Sequence, residues 1–350
     1  MMTLAFLAAA AVAQQPAPQP ARPVYREIKD FVVACDNLRT CRVRWAPEAD
    51  GGFEAYFDVA RDGGPRGRLR VSLGGATQEG ARPDVRSLTL DGIPFGRNLR
   101  WRYDAETDAM VAEGAEALGY LRTLSDGDVL TFSDGKQQQA VTLTGFKAAL
   151  LAVDEAQGRL GTAGAFVRKG AAPDTTVPAP PAPPVLVARR ADPSLTVPAG
   201  FAARVRKAQA AVLTKEDCAT DERRPDDAAH PLGRGEVVVF LGCLMGAYQG
   251  YSLVVRAPRD APEKGRVVIL PAAVGDQPNQ GFHTEVDWDP EHATIHEAAK
   301  GRGLADCGSS TSWVFDGTTF RLAEANRLNR CSGGPPGDWP TVYRSKVEVR

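Results

Sequence analysis

Three of the four histidines lie close together in the chain and are the residues best suited to metal or acid–base chemistry. They are His283, His292 and His296, a span of fourteen residues, with Glu291 and Glu297 beside the last two. Imidazole and carboxylate groups bind zinc and also act as acids and bases in hydrolases. The cluster therefore defines one hypothesis, a secreted hydrolase or a metal-dependent enzyme that uses the His283, His292 and His296 region.

The metal hypothesis depends on the secondary structure that carries His292 and His296. In a helix over 290–300 the two side chains, at i and i+4, would share a face and could bind one ion. In a hairpin that turns at 289–292 they would lie about 13 Å apart along a strand, too far to chelate one ion. The segment Val286–Trp288 has the pattern of an incoming strand. We therefore favour the hairpin and predict neither a metal nor a cofactor.

Four carboxylates surround the same predicted turn, namely Glu285, Asp287, Asp289 and Glu291. A pair of acids can hydrolyse glycosides when one is desolvated and the two are held at a defined separation. No feature of the sequence places these four in a cleft. We therefore expect them to be solvated, and we predict no catalytic residue in the chain.

Aromatic residues gather in the last forty positions of the chain, together with arginines that could share a surface with them. Trp313, Trp339 and Tyr343, with Arg302 and Arg344, form a candidate binding surface, because aromatic and arginine side chains carry much of the energy of protein interfaces. A β-sheet core would hold the same aromatic residues. The core interpretation is favoured, and the surface of an inhibitor or partner-binding module stays an alternative.

Six cysteines bear on both the compartment and the architecture of the protein. They are Cys35, Cys41, Cys218, Cys243, Cys307 and Cys331. None of them forms the close C-x-x-C pair typical of zinc sites, and an even number favours disulfides in an oxidising compartment. Proximity in the sequence favours the bonds Cys35–Cys41, Cys218–Cys243 and Cys307–Cys331, and other pairings stay open.

An apolar N-terminal segment has the pattern of a secretory signal. Residues Met1–Ala13 carry no charged side chain, are too short to cross a bilayer, and end on the small residues Ala11 and Ala13 that suit a cleavage site. The sequence predicts cleavage after Ala13 and a periplasmic mature chain without a transmembrane segment.

Length and composition indicate two globular domains. The 350 residues are 43% hydrophobic and 24% charged, which is enough for two cores. The 42 basic and 43 acidic residues are mixed along the chain, so a nucleic-acid-binding face is not expected.

Changes in composition divide the chain at a proline-rich stretch. Residues 169–198 are rich in proline and alanine without periodicity, which is typical of an extended spacer. Short alternating segments predict mainly antiparallel sheets, and each domain has one amphipathic helix, at 146–157 and 201–213. The fold class is therefore α+β, rich in β and stapled by disulfides. The predicted parts are a signal peptide at 1–13, a flexible tether at 14–24, an N-terminal β-sandwich-like domain at 25–168, the linker at 169–198, and a C-terminal β-rich domain at 199–350.

Several segments, taken in order along the chain, carry a family resemblance. They are FVVACDNLRTC at 31–41, LTGFKAALLAVDEAQGR at 143–159, KGRGLADCG at 300–308, the segment 313–320, and DWPTVYR at 338–344. They resemble domain-of-unknown-function family 1176, and Ala305 stands where the resemblance implies a glycine. The N-terminal portion also resembles, more faintly, the invasion-associated locus B proteins. The resemblance implies an exported, periplasmic protein of Gram-negative bacteria and supplies no catalytic residue.

Together these observations favour a non-catalytic binding or envelope-associated role for an exported protein. The expected partner is an unidentified protein or small ligand of the periplasm and not a nucleic acid. The hydrolase or metal enzyme and the partner-binding module remain the two alternatives.

Overall fold

The computed structural model describes residues 21–47, 55–75, 82–133, 138–233, 235–276 and 279–350. The predicted signal peptide at 1–13, with its cleavage site, and positions 14–20 of the predicted tether lie outside these residues. The end of that tether belongs to the first strand, β1 (Val24–Ile28). Over the described ranges the fold is rich in antiparallel sheet, as the sequence predicts, and no helix there is long and apolar enough to cross a membrane.

The described part of the N-terminal half contains two antiparallel sheets and two helices, α1 (Ala115–Leu124) and α2 (Phe146–Gln157). One sheet has the strand order β1-β2-β3-β4-β5-β9-β8 and the other has the order β11-β10-β6-β7. The strands after β1 are β2 (Phe31–Cys35), β3 (Cys41–Trp45), β4 (Ala55–Arg61), β5 (Leu69–Gly75), β6 (Asp84–Leu90), β7 (Ile93–Pro94), β8 (Arg102–Asp104), β9 (Ala109–Glu113), β10 (Val129–Ser133) and β11 (Gln138–Thr142).

One hydrophobic core lies among the two sheets and the two helices. Phe31, Phe57 and Phe146, from β2, β4 and α2, pack ring against ring with centroid separations of 5.0–6.3 Å. Helix α2 has the predicted bounds, and Gly158 ends it in the left-handed conformation (φ 69°). The sequence prediction omits helix α1, although four buried residues recur on one face of it at helical spacing.

The proline-rich segment at 169–198 is extended, and part of it is held against the N-terminal half. Asp174, in a short 3₁₀ helix, accepts a hydrogen bond from the backbone N–H of Gly164 at 2.8 Å. The end of the segment forms strand β12 (Val185–Ala188), which pairs in parallel with the last strand of the chain, Lys346–Val349. The segment therefore contacts both halves, and the domain boundary placed there stays a prediction.

The C-terminal half contains two more antiparallel sheets and two short helices. The helices are α3 (Phe201–Ala208) and α4 (Ala210–Lys215), where the sequence predicts one continuous helix. One sheet has the order β13-β14-β15-β16, with β17 also paired to β15, and the other has the order β18-β19-β20-β21-β22. The strands are β13 (Ala228–Gly233), β14 (Glu236–Met245), β15 (Gly250–Pro258), β16 (Arg266–Val267), β17 (Phe282–Thr284), β18 (Asp287–Asp289), β19 (Thr294–Lys300), β20 (Gly308–Phe315), β21 (Phe320–Leu328), β22 (Thr341–Arg344) and β23 (Lys346–Val349).

Strand β14 is buried on both faces, which explains its nearly continuous apolar sequence. Val238 and Phe240 belong to the core between the two C-terminal sheets, whereas Val237 and Val239 belong to the core that helix α3 covers. A strand with two buried faces favours an unbroken apolar run over alternation. The run VVVF therefore serves two cores, one on each side of the sheet.

Three disulfides join the six cysteines in the nearest-neighbour pairs that the sequence favours, and no cysteine is free. Cys35–Cys41 closes the turn between β2 and β3. The second bond, Cys218–Cys243, holds the segment after α4 to β14, and Cys307–Cys331 ties the loop before β20 to the chain that follows β21. Each half of the molecule is thus covalently stapled within itself.

Candidate functional site

Three of the five segments that carry the family resemblance, at 31–41, 300–308 and 338–344, lie at one interface between the seven-stranded N-terminal sheet and strands β21 and β22. We call this interface the seam. On β2, Val33 faces the N-terminal core, whereas Val32 and Ala34 face the opposite side of the sheet. Val32 packs in one cluster with Leu328 and Trp339. Both faces of β2 are therefore buried, which is why all five of its residues are apolar or cysteine.

The Cys-Asp-Asn motif forms a turn that binds strand β22. Asp36 accepts the backbone N–H groups of Leu38 and Thr40 with one carboxylate oxygen, each at 2.8 Å, and this shapes the turn. The amide of Asn37 donates to the carbonyl of Arg344, and its oxygen accepts the Arg344 N–H, both at 2.9 Å. The Arg344 guanidinium lies 2.6 Å from the other oxygen of Asp36. The motif therefore joins the two halves of the chain.

Asp338, whose side chain is 25% exposed, is the centre of an ion-pair network that crosses the seam and includes the fully buried Arg44 and Asp58. Its carboxylate accepts two hydrogen bonds from Arg42, at 2.7 and 3.0 Å, one from Arg44 at 2.8 Å and one from the Tyr56 hydroxyl at 3.0 Å. Asp58 balances the second positive charge, because it accepts the Nε–H groups of both arginines. Residues two apart on a strand point to the same face, so the side chains of β3 and β4 converge on Asp338.

The network fixes the charge states of its members. Burial alone would raise the pKa of Asp338, but the hydrogen bonds and charges of Arg42 and Arg44 outweigh burial and hold that pKa well below its ordinary range. Burial raises the pKa of Tyr56, so the phenol stays protonated and donates to the carboxylate. An ionised Asp338 in contact with two arginines therefore stabilises the folded seam.

The loop that contains Lys-Gly-Arg-Gly is the third part of the seam. Arg302 and Asp306 form a two-pronged ion pair within it, at 2.7 and 2.6 Å, and Asp306 also accepts the N–H of Gly333. The carbonyl of Ala305 accepts the indole N–H of Trp339 at 3.1 Å. Ala305 has a left-handed backbone (φ 55°), the conformation that favours the glycine implied at this position. The loop thus positions the C-terminal part of the seam.

The five residues of the predicted binding surface lie in the seam or in a core. The indole N–H of Trp313 donates to a backbone carbonyl at 2.7 Å in the core between the C-terminal sheets, whereas Trp339 is buried in the seam. Tyr343 is half-buried at the seam, and Arg302 and Arg344 are both ion-paired there. The structure does not gather these five side chains into one open groove, and the binding surface stays a prediction.

The hairpin predicted around the histidines is confirmed, because β18 and β19 pair antiparallel across a turn. His283 is almost fully buried, with Nδ1 3.0 Å from the carboxylate of Glu297. His292 lies exposed in the turn, where its Nδ1 is 2.6 Å from Asp289, and His296 is exposed on β19. The three histidines therefore have three separate surroundings.

Metal-ligand geometry among the described residues occurs at one place. Ligand atoms of three or more His, Cys, Asp or Glu residues lie within 4.8 Å of one another only at Asp306, Cys307 and Cys331. Both cysteines are joined in a disulfide, so the group has no thiolate to offer a metal. The structure does not place His292 or His296 in such a group.

The four carboxylates of the predicted turn have different surroundings. Glu285 accepts the backbone N–H of Gly250 on the neighbouring sheet, and Asp289 accepts the N–H of Glu291 within the turn. Asp287 is exposed on β18. Glu291, also exposed, borders a cleft of the C-terminal half.

That cleft has a volume of about 890 Å³, and we call it the C-terminal cleft. Its lining comes from the chain after β12, from β13, from the β18–β19 turn and from the residue after β23. Its lining includes two arginines, two carboxylates and an apolar part, namely Arg190 and Arg350, Asp192 and Glu291, and Leu195 and Pro231. The cleft thus offers both signs of charge beside an apolar wall.

Trp288 is the most unusual residue of the C-terminal cleft. It is 8% exposed, and its ring packs edge-to-face with Phe320 at a centroid separation of 6.4 Å. Its indole N–H is buried and has no hydrogen-bond partner among the described residues. A buried indole N–H normally has an acceptor, so this donor is unused at the wall of an open cleft.

Comparison with known proteins confirms the resemblance to family 1176. The chain matches, over residues 25–346, the family described as "Protein of unknown function (DUF1176)". The chain belongs to this family. A protein of Escherichia coli (strain K12) described as "Uncharacterized protein YpfG" is 28% identical over 333 residues, which cover 92% of this chain and 93% of that protein. No solved structure matches the chain. The comparisons do not show the fainter resemblance to the invasion-associated locus B proteins.

Several residues of the seam and of the C-terminal cleft in this DUF1176 protein are absent from the sequence predictions. Arg42 and Arg44 alternate with apolar residues on β3, a pattern ordinarily typical of a strand with one solvated face. One feature of the sequence could have predicted the ion pairs. Tyr56 and Asp58 are also two residues apart on β4, and the Asp58 carboxylate has the charge opposite to the arginines on the same face. The cleft around Trp288 has no comparable signal, because its lining comes from separate segments of the chain.

Proposed function

We propose that this DUF1176 protein is an exported binding protein without catalytic chemistry, and that its C-terminal cleft holds a small ligand. The observation that carries the proposal is the buried indole N–H of Trp288, a donor with no acceptor among the described residues at the wall of an open cleft. Leaving a buried donor unpaired costs about 1 to 3 kcal/mol. A ligand that brings a carbonyl or carboxylate oxygen removes this cost when the Trp288 ring shifts enough to present its N–H to the cleft.

The charges around the cleft support a ligand that carries both signs of charge. Arg190 and Glu291 border the cleft, are exposed, and form no ion pair with a described residue. Each can therefore bind an opposite charge on a ligand without breaking a contact of the fold. Leu195 and Pro231 offer apolar contact beside them. Short peptides are the simplest molecules that combine a carboxylate, an ammonium group, carbonyl acceptors and apolar side chains.

Export to the periplasm is supported by the cysteines and by the N-terminal sequence. All six cysteines are paired, and disulfides persist in oxidising compartments. The segment Met1–Ala13 has the pattern of a signal peptide. Cell fractionation followed by intact-mass measurement tests this part: we expect a periplasmic protein that begins at Gln14 with no titratable thiol. A full-length cytoplasmic chain with free thiols contradicts it.

Calorimetric titration with trialanine tests the ligand class. We expect the mature protein to bind trialanine, and we expect N-acetylation or C-terminal amidation of the peptide to weaken binding about tenfold each, because each removes one charge. Trp288→Phe keeps the ring and removes the N–H, so it should also weaken binding about tenfold while the protein stays folded.

The matched control is Arg189→Gln, which removes an exposed arginine next to Arg190 that does not line the cleft. This variant should bind trialanine like the parent protein. The proposal fails if trialanine does not bind, or if it binds equally well to the parent protein, to Trp288→Phe and to Glu291→Gln.

A further inference from the structure

The N-terminal half carries two clefts that share part of the loop 95–101, which follows strand β7. Their volumes are about 880 and 610 Å³, and Arg97 and Leu99 line both of them. We call them together the arginine clefts. They lie in the other half of the chain from the C-terminal cleft and share no lining residue with it.

Positive charge at the arginine clefts exceeds negative charge. Arg86, Arg97 and Arg100 line the larger cleft, and Asp84 there is paired with Arg86 at 2.9 Å. Arg97 and Arg100 are exposed and form no ion pair or hydrogen bond with any residue that the structure describes. Glu116 lines the smaller cleft and forms no ion pair with Arg97. Two guanidinium groups are therefore left without an opposite charge beside a cavity.

An aromatic wall stands next to these two arginines. The rings of Phe95 and Tyr120 stack at a centroid separation of 4.6 Å, and Trp101 packs edge-on against Tyr120 at 6.1 Å. Gly96 makes the close packing possible, because a Cβ there would lie 2.7 Å from the Tyr120 ring. Trp101 is half-buried and lines the larger cleft. The wall offers apolar surface to a bound molecule.

The hydroxyl of Tyr120 is a further unused polar group at this place. It is buried, and no described residue accepts from it or donates to it. Burial raises the pKa of Tyr120, so the phenol keeps its proton and remains a hydrogen-bond donor. Other atoms of Tyr120 line the smaller cleft, so a ligand oxygen accepts from this hydroxyl when the ring shifts to present it there.

We propose that the arginine clefts bind a ligand in which a phosphate group is attached to an apolar or ring-shaped part. The planar guanidinium group binds phosphate oxygens in pairs, and Arg97 and Arg100 are free to do so. The wall of Phe95 and Trp101 contacts the remainder of the ligand. Two sources share this chemistry, a soluble phosphate ester and the headgroup of an anionic phospholipid.

One observation bears on the lipid source. Ile93, at the tip of the β6–β7 hairpin two residues before Phe95, is 70% exposed. An exposed apolar side chain close in the chain to unpaired arginines and a tryptophan is a combination that suits an anionic membrane surface. A soluble ester does not require this isoleucine, so the two sources can be separated by experiment.

The test uses the full mature chain with two kinds of probe. Calorimetric titration with phenyl phosphate and with inorganic phosphate measures the soluble source, and we expect phenyl phosphate to bind more tightly because it also contacts the wall. Co-sedimentation with phosphatidylcholine vesicles, with and without phosphatidylglycerol, measures the lipid source. In either case the Arg97→Gln/Arg100→Gln double variant should bind at least about tenfold more weakly, and salt should weaken binding by the parent protein.

The outcomes distinguish the sources and the failure of the proposal. Binding of phenyl phosphate without vesicle binding assigns a soluble ester, whereas binding to anionic vesicles that Ile93→Ser abolishes assigns a lipid headgroup. The matched control is the Arg66→Gln/Arg68→Gln double variant, which removes two exposed arginines of the same half away from the clefts. The proposal is overturned if neither probe binds, or if the control double variant loses as much affinity as the cleft double variant.

Discussion

The N-terminal half has two pairs of arginines in opposite surroundings. One pair, Arg42 and Arg44, lies in the seam, and the other, Arg97 and Arg100, lies at the arginine clefts. Arg44 is fully buried and pairs with two carboxylates, and Arg42 binds the same two. The cleft arginines are exposed and have no partner among the described residues. A buried charge must be paired for the chain to fold, so the seam arginines are explained by architecture alone. Exposed arginines at a cavity are solvated and hold no part of the fold together, so they are available to a ligand.

The family motifs at the seam have a structural role. The Cys-Asp-Asn turn binds Arg344 across the seam, Asp338 binds Arg42 across it, and the Lys-Gly-Arg-Gly loop holds Trp339 on the C-terminal side. Their polar side chains are engaged with partners from the other half of the chain or from the same loop. These motifs therefore hold the two halves together, and binding chemistry is to be sought in the clefts outside them.

The largest expected effect comes from removing the central charge of the seam. Asp338→Asn leaves Arg42 and Arg44 sharing only Asp58, so one buried positive charge loses its partner. Removing one member of a buried ion pair costs about 3 to 5 kcal/mol, and we expect the free energy of unfolding to fall by about 4 kcal/mol. Urea unfolding followed by tryptophan fluorescence measures this change.

The control for Asp338→Asn is Asp126→Asn, which breaks an ion pair with Lys147 whose two side chains are both exposed. Exposed pairs contribute about 0 to 1 kcal/mol, so this variant should unfold almost like the parent protein. Equal losses in the free energy of unfolding would show that the seam network stabilises the fold no more than an exposed ion pair does.

The pH dependence of stability gives a second test of the contribution of Asp338. The pKa of Asp338 in the folded protein is held well below its unfolded value of about 4, so its contribution is complete above that value and is lost as the pH falls below it. We expect the stability difference between the parent protein and Asp338→Asn to be constant above about pH 5 and to shrink below about pH 4.

Other buried acids do not disturb this measurement. Burial raises the pKa of Asp36 and of Asp154, so their contributions run in the opposite direction and are lost as the pH rises through the raised values. Both acids are present in the parent protein and in the variant, and their effects cancel in the difference. A difference that stays constant down to about pH 2 would show that Asp338 is not held ionised by the seam.

Local features of the fold follow from the sequence, because they depend on neighbours in the chain. The period of helix α2, its terminal Gly158, the β18–β19 hairpin and the nearest-neighbour disulfides are of this kind. Helix α1 is the element that the sequence prediction missed. Its buried residues have helical spacing, but Gly119 in its interior lowers helix propensity and the segment stands among short strands. The buried residues are Ala117, Tyr120, Leu121 and Leu124.

The seam and the clefts could not be predicted, because they join distant parts of the chain. Arg42 and Asp338 are 296 positions apart, and no local pattern specifies that pairing. The sequence did mark Trp339 and Tyr343 as important, yet whether aromatic residues line a groove or fill an interface depends on what packs over them. The clefts are shapes left between elements, so they become visible only once those elements are assembled.

A smaller change in stability is expected from a substitution in the loop that contains Lys-Gly-Arg-Gly. Ala305 has a left-handed conformation (φ 55°), which costs about 1 to 2 kcal/mol for a residue with a Cβ and almost nothing for glycine. Ala305→Gly should therefore raise the free energy of unfolding by about 1 kcal/mol after the added chain entropy of glycine is subtracted. The control Ala299→Gly lies within strand β19 and should lower stability by about 1 kcal/mol. Equal signs for the two substitutions would contradict the conformation assigned to the loop.

The smallest change in stability is expected for the arginines of the clefts, and it contrasts directly with the change expected for the arginines of the seam. The Arg97→Gln/Arg100→Gln double variant removes side chains that contact no described partner, so its free energy of unfolding should stay within about 0.5 kcal/mol of the parent value. Arg44→Gln, in the seam, should lower it by about 3 kcal/mol, because Asp338 and Asp58 then keep one arginine between them. Both variants lose arginine charge, so a general effect of net charge cannot produce the contrast. If the cleft double variant is as unstable as Arg44→Gln, the cleft arginines belong to the fold, and the difference between the two pairs is not one between architecture and ligand binding.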